Sequence, residues 1–288
     1  MISVGIPFFN PGQHFLPAIN SILKQTYKDF ELILIDDGST DGSLNIARSI
    51  SDSRVKVFSD GFNLGLPTRL NQIIDLAQGE YIARMDADDL CSKDRLEKQV
   101  KYLNSNVDKD IVSTGICSIT EDNKILSYRL MNIDNKKMSI YEVINGNVQI
   151  AHATIMVRKS WCLRNKYNEK AKLMEDYQLW IDAFLKNDLN VGLINEPLYF
   201  YRENSSIEIN KLIKAYGNQI DIVNDNYRKC ISKFDFIRFK GIFSAKICIS
   251  YIFHITGMSN KIISIRNRKT EQDQNIINEL KLKIKDVR

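Results

Sequence analysis

The chain has 288 residues, 44% of them hydrophobic, and a formal net charge of +5. That supplies enough apolar material for one large core and excludes a disordered or fibrous chain. Five cysteines (Cys91, Cys117, Cys162, Cys230 and Cys248) are scattered without a Cys-x-x-Cys pair, which argues against a disulfide framework or a zinc ribbon and fits a reducing cytoplasm. Met1 to Pro7 has no basic start and no long apolar run, so no secretory signal is expected. From Arg228 to Arg288 there are 14 Lys/Arg and 5 Asp/Glu, against 26 and 30 in residues 1–227. Positive charge confined to a tail, without interleaved aromatics on the folded part, argues against a nucleic-acid partner.

In chain order, Ile2 to Phe8 reads as a buried strand ending in the turn Pro7-Phe8-Phe9-Asn10-Pro11-Gly12. Phe15, Ile19, Ile22 and Leu23 have helical spacing. Phe30 to Ile35 is a second strand closed by Asp36-Asp37-Gly38-Ser39-Thr40-Asp41. A helix through Leu44, Ile46, Ala47 and Ile50, a strand at Arg54 to Phe58, and a helix opened by Asn63-Leu64-Gly65 follow. The next strand, Gly79 to Met85, stops in Asp86-Ala87-Asp88-Asp89. Strand alternation places Asp86 and Asp88 on one face, where they can hold a divalent cation against a phosphate. Asp is equally at home in a turn leaving a strand or at a helix start, and Asp89 is read as a helix N-terminal charge.

Ser92 is the expected N-cap of a helix over Leu96, Val100 and Leu103. Beyond it the alternation ends. Asp110 to Thr120 and Lys124 to Leu130 read as a hairpin, Ala153 to Arg158 and Pro197 to Tyr201 as strands, and Glu175-Asp176 as the start of a helix over Leu179, Trp180, Ala183 and Phe184. Strands alternating with helices predict an α/β fold with a doubly wound, mainly parallel sheet and ligands beyond the carboxyl ends of its strands. Neither the dinucleotide-binding Gly-x-Gly-x-x-Gly nor the Walker phosphate loop is present.

The succession of the Pro7-Phe8-Phe9-Asn10 loop, Ser21 to Tyr27, Leu34 to Asp41, Asn63-Leu64-Gly65, Gly79 to Asp89 and Glu175-Asp176-Tyr177 resembles the family 2 glycosyltransferases. The resemblance covers roughly residues 1–205. It implies a GT-A catalytic domain there, with residues 1–105 a nucleotide-binding half and 106–205 an acceptor-binding half, and leaves 206–288 as a basic helical C-terminal extension. It also implies an inverting hexosyltransferase using a UDP-sugar and Mn²⁺ or Mg²⁺. The acceptor is a carbohydrate, with a polyprenyl-diphosphate-linked glycan of O-antigen or capsule type expected from family habit.

Carried over residue by residue, Asp37 binds uracil and Pro7, Phe8 and Phe9 border the base, although core packing explains at least one of the two Phe residues. Asn63 lies near the nucleotide or caps a helix, and Arg69 is within reach of a phosphate. Asp88 is the metal ligand, with Asp86 its partner near ribose and metal. Asp176 is the general base, Glu175 orients acceptor or backbone, and the alternative is that both only cap their helix. His152 is either at the site or structural. One departure is that Asn204 stands where related enzymes carry a His after Tyr-Arg, leaving Asn204, Arg202 or water to serve.

A haloacid-dehalogenase-type phosphatase also uses Asp-x-Asp, but its motif carries Thr or Val where Leu90 stands. A nucleotide-sugar-binding module without turnover is the non-enzymatic alternative. Residues 241–258 are apolar but contain Lys246 and His254, with Arg238, Lys240, Lys261, Arg266, Arg268 and Lys269 flanking. They are expected either to lie peripherally on the inner face of the cell membrane or to pack on the catalytic domain.

Overall fold

Strand β1, Ile2–Phe8, is buried along its whole length, as its apolar sequence requires. The structure is a computed structural model and describes residues 1–130, 138–171, 173–203, 209–256 and 273–287. After β1 come α1 (Phe15–Leu23), β2 (Phe30–Asp36), α2 (Ser43–Arg48), β3 (Val55–Ser59), α3 (Leu66–Leu76), β4 (Tyr81–Arg84), the two-residue β5 (Leu90–Cys91) and α4 (Arg95–Ser105). β6 (Ile111–Ile119) and β7 (Ile125–Arg129) form the expected hairpin, followed by α5 (Ile140–Ile144), β8 (Met156–Arg158), α6 (Lys159–Arg164), α7 (Glu175–Leu185) and β9 (Val191–Arg202). The C-terminal region holds α8 (Ile209–Ile222), α9 (Lys233–Ile255) and α10 (Gln274–Val287).

Among the described residues the strands form one sheet in the order β3-β2-β1-β4-β8-β6-β9-β5, with β7 beside β6. β3, β2, β1 and β4 are parallel, and β9 runs parallel to β6. β8 is antiparallel to both β4 and β6, so the sheet is mixed and joins the two kinds of segment without a break. Helices cover both faces. Val4, Ile6, Leu32 and Leu34 meet Phe15, Ile19 and Ile22 of α1 and Leu96 and Leu103 of α4 on one side. Ile33 and Ile35 meet Leu70, Ile73 and Ile74 of α3 on the other, in a cluster that also holds Trp161 and Trp180. Gly5 permits the close approach of α3, because a Cβ there would lie 2.5 Å from Ile73 Cγ2.

Several sequence expectations are corrected. β4 ends at Arg84, so Asp86 to Asp89 belong to a turn and strand alternation does not orient them. α4 begins after Asp94, not at Ser92, whose hydroxyl instead bonds the Asp94 carboxylate. α3 is preceded by Gly65 at the cap position, and Asn63 makes no cap. β9 begins six residues before Pro197, which sits where the β6–β9 register slips and a missing N–H is tolerated. α5 was not anticipated, although Ser139 and Glu142 form the capping box that its sequence spells.

The C-terminal helices are packed. Phe239 and Phe243 of α9 share an apolar cluster with Val143 and Ile144 of α5 and Tyr177 and Ile181 of α7. Ile277, Leu280, Ile284 and Val287 of α10 cover Leu90, Cys117, Ile119 and Phe200 of the sheet. No helix among the described residues is long and apolar enough to cross a membrane. Cys91, Cys117 and Cys162 are buried and Cys230 and Cys248 exposed, all as free thiols. If α10 is a structural part of the sheet's cover, Leu280→Ala should destabilise the protein by about 2–4 kcal/mol, as for a buried core leucine. Urea unfolding of the full chain measures this, and a loss below about 0.5 kcal/mol would mean that the helix contributes nothing to the core.

Candidate active site

The parallel strands β2, β1 and β4 lie side by side, so their carboxyl ends bring three polar loops to one edge of the sheet. The first two loops are tied together. Asn10 Oδ1 accepts from the Thr40 and Asp41 amides at 2.7 and 3.2 Å, and Asp36 accepts from the Ser39 amide and the Ser59 hydroxyl at 2.9 and 2.8 Å. Phe8 is buried against Phe15 with ring centroids 4.6 Å apart, whereas Phe9 is 52% exposed beside these loops. Of the two rings, Phe8 is thus the one committed to the core. Pro7 is buried within β1.

Asp37 is 7% exposed, and its carboxylate accepts from the Leu64 and Gly65 amides at 2.8 and 3.1 Å and from Arg69 Nε at 2.8 Å. Arg69 is itself buried and also bonds Asp60, Gln72 and the Phe62 carbonyl. Its guanidinium holds loops together from beneath and is not free to meet a phosphate. Asn63, exposed, stands beside this knot.

The acidic turn is held with comparable firmness. Asp89 is 1% exposed, accepting from the Tyr199 hydroxyl at 2.8 Å and the Arg202 amide at 2.6 Å. It is therefore neither a helix charge nor a surface residue. Burial, with Asp86 and Asp88 adding to it, pushes its pKa well above the ordinary carboxylate range. Tyr199 Oη also accepts from the Asp86 amide at 3.1 Å. Arg202 Nε donates to the Asp88 carbonyl at 2.9 Å, and its other nitrogens reach Thr120, Glu121 and Asn123 in the β6–β7 turn. Arg202 thus ties the acidic turn to the β6–β7 turn through the Asp88, Thr120 and Glu121 carbonyls and the Asn123 side chain, and Asn204 lies outside the described residues.

The Asp86 carboxylate is paired with Arg84, at 2.7 and 3.2 Å. Asp88 is half-buried, its pKa raised by burial and by Asp86, with Arg202 and His14 opposing. Among the described residues no group of three or more His, Cys, Asp or Glu side chains forms a metal cage. The donor set does fit Mg²⁺ or Mn²⁺ held by one or two carboxylates and completed by substrate phosphates, the usual arrangement for these hard cations.

Glu175 and Asp176 open α7 but do not cap it, since Met174 occupies the cap position. Asp176 Oδ1 accepts from the Tyr177 amide at 2.7 Å. Burial raises the pKa of Asp176, against that bond and Arg84, and burial likewise raises Glu175. The Tyr177 amide at the start of α7 pulls the Asp176 pKa down, but burial outweighs it and the net shift is upward. Arg84, buried and with its Nε lacking a partner among the described residues, interacts electrostatically with both Asp86 and Asp176. His152 has its Nε2 2.7 Å from Tyr167 Oη and its ring edge-on to Trp180, and burial and Arg84 push its pKa well below the usual histidine value.

The family model described as Glycosyl transferase family 2 matches residues 3–166. The chain belongs to the family 2 glycosyltransferases. It is 34% identical over 212 residues to EpsE of Bacillus subtilis, named as a glycosyltransferase, covering 71% of this chain and 73% of EpsE. Against the glycosyltransferase GlyG of Streptococcus pneumoniae the identity is 29% over 217 residues, covering 71% of each. The crystal structure of S. aureus TarS 1–349 in complex with UDP aligns at a TM-score of 0.59 and 18% identity over 84% of this chain and 70% of that one, a likeness of GT-A fold.

Sequence reasoning missed several residues of this glycosyltransferase's site. Arg84, Tyr199 and Arg202 hold the acidic turn, and Arg95 Nη2 donates to the Arg84 carbonyl at 2.7 Å from below. Arg84 and Arg95 had a signal, as charges inside otherwise apolar patterns, and Arg202 was a candidate for the place of the His but not for holding the Asp88 carbonyl. His14, bonded to Glu121 of the β6–β7 turn, was also unforeseen. Tyr199→Phe removes only the hydroxyl that bonds Asp89 and the Asp86 amide. It should lower stability by about 1–3 kcal/mol in urea unfolding, and an unchanged midpoint would mean that Arg202 alone fixes the turn.

Proposed function

We propose that the enzyme transfers a sugar from a UDP-sugar to a carbohydrate acceptor with inversion at the anomeric carbon. The observation that supports this is the gathering of the Pro7–Asn10, Asp36–Asp41 and Asp86–Asp89 loops at the carboxyl edge of the parallel strands, with the Asp86 carboxylate fixed by Arg84 at 2.7 Å. Solved TarS complexes with UDP and with UDP-GlcNAc support a UDP-sugar as donor class here. We assign Phe9, with Pro7 and Phe8 behind it, to the wall of the uracil site and Asp37 to its base-facing end, Asn63 being adjacent. The sugar acceptor is proposed to be a lipid-linked glycan, a polyprenyl diphosphate carrying the chain at the inner membrane face.

In the reaction the acceptor hydroxyl attacks the anomeric carbon, its proton passes to Asp176, and the bond from that carbon to the UDP oxygen breaks. Glu175 orients the acceptor. A raised pKa suits Asp176 to this work, since a weakly basic carboxylate takes up a proton less readily. Asp88, assisted by Asp86, would hold Mn²⁺ or Mg²⁺ on the diphosphate. Such a cation stabilises the negative charge that develops on UDP.

Asp176→Asn keeps the shape but cannot accept the proton, so kcat should fall by about 10²–10⁴-fold with UDP affinity nearly constant. Turnover is expected to be lost as pH falls through the Asp176 pKa, because only the ionised base accepts a proton. Its direction of shift places that loss above the ordinary Asp value. A kcat–pH profile on wild type and an NMR assignment of the product anomer check both points, and an α-linked product from an α-linked donor would reject inversion. Asp88→Ala should remove the Mn²⁺-dependent part of UDP affinity in calorimetric titration. Unchanged Mn²⁺ dependence would take Asp88 out of the metal site.

A further inference from the structure

α9 is apolar on both sides. Its inner face buries Phe239, Phe243 and Ser250 against the rest of the protein. At 100° per residue, Phe234, Ile237, Ile252 and Ile255 fall on the opposite face, and they are 72, 69, 57 and 68% exposed. Ile249 and Tyr251 widen the strip on either side, at 52 and 57%. Gly241, Ser244, Ala245 and Cys248 lie exposed on the same face between Ile237 and Ile252, so the outer side carries large apolar side chains toward both ends and only small ones in the middle. An exposed apolar surface of this kind on a folded protein marks an interaction face.

The charges beside the strip select its occupant. Arg238 and Lys240 are exposed on its two flanks, and residues 236–256 contain no Asp or Glu. A second copy of α9 laid against this face would bring like charges together with no acid on the face to pair them. Asp235 lies off that face and is bonded to Ser232. An anionic lipid surface instead supplies apolar chains for Ile237 and Ile252 and phosphates for the flanking cations. Spanning is excluded for α9, which is too polar along its length.

We propose that α9 lies in the plane of an anionic phospholipid surface, its outer face in the lipid and its inner face clamped on the catalytic domain. Of the two expectations for this segment, packing and membrane contact, each takes one side of the helix. Lys246 belongs to the packed side, its Nζ 4.2 Å from the Phe243 ring centroid, and does not face lipid. Gly257, Met258, Lys261, Arg266, Arg268 and Lys269 lie outside the described residues. The inner face joins the cluster containing Tyr177 and Ile181 of α7, the helix that starts with Glu175 and Asp176. Lipid contact at α9 thus seats the acceptor side of the enzyme near the membrane, which deepens the proposed function by giving a lipid-linked acceptor a route to Asp176.

The test is co-sedimentation of the full-length protein with vesicles of phosphatidylcholine mixed with phosphatidylglycerol, and of phosphatidylcholine alone. UDP release from a UDP-sugar is assayed on the same samples. Wild type should sediment with the anionic vesicles at low salt and far less with the neutral ones. Ile237→Glu combined with Ile252→Glu should weaken binding at least about 10-fold, and Lys240→Gln by about 5-fold, with UDP release unchanged in both. These residues are exposed, and the single Lys240→Gln change serves if the double variant folds poorly. A wild type that stays in the supernatant, equal binding to neutral vesicles, or variants that bind as wild type would overturn the proposal. So would a dimer in light scattering that Ile237→Glu dissociates. Loss of UDP release in wild type would instead count against the transferase reading, independently of the vesicle result.

Discussion

The site depends on the burial of one carboxylate. Asp89 is held between Tyr199 and the Arg202 amide, and through them the turn bearing Asp86 and Asp88 is fastened to β9. Burying a third negative charge beside two others is unfavourable, and the raised pKa of Asp89 expresses that cost. The bonds from Tyr199 and Arg202 offset it and fix the backbone of the turn. Without them three acids in sequence would repel one another and the turn would have many conformations.

The same design recurs beneath the donor loops. Arg69 and Asp37 form a buried ion pair, and the Leu64 and Gly65 amides complete the carboxylate's hydrogen bonding. A buried pair of this kind gains little over apolar packing, but losing one partner leaves the other charge stranded, so it fixes one arrangement of the loops. Arg84 and Asp86 form a half-buried counterpart at the end of β4, two strands away. Two of the three loops are thus anchored by an arginine that points inward and the first by Asn10, while Phe9 is left facing outward.

The fold of the first hundred residues was legible because each strand there is a short apolar run and each helix an amphipathic one, as with Val4, Ile6, Leu32 and Leu34 against Phe15 and Ile19. Loop placement followed from the parallel order alone. Less legible were residues whose role is set by distant partners. Asp89 looked like a helix charge because its neighbours in sequence suggested one, and its partners Tyr199 and Arg202 lie 110 and 113 residues away. Arg69 had a plausible phosphate ligand, yet it bonds Asp37 across 32 residues. Ser92 had the chemistry of a cap but the helix began at Arg95, where Gln25 Oε1 accepts from the Leu96 amide at 3.0 Å and sets the start from outside. The family motifs identified the chemistry, while the supports of that chemistry required the third dimension.

The distribution of the cysteines has a practical side. Burial pushes the thiols of Cys117 and Cys162 up to about 12 and raises that of Cys91, so all three are withheld from the thiolate form and from reagents. Cys230 and Cys248 are exposed, and both belong to the C-terminal region, Cys248 on α9 itself. A maleimide fluorophore or spin label added to the native protein would therefore report from that region alone. The natural sequence already carries a spectroscopic handle on its extension, and the catalytic domain remains silent without any cysteine having to be removed.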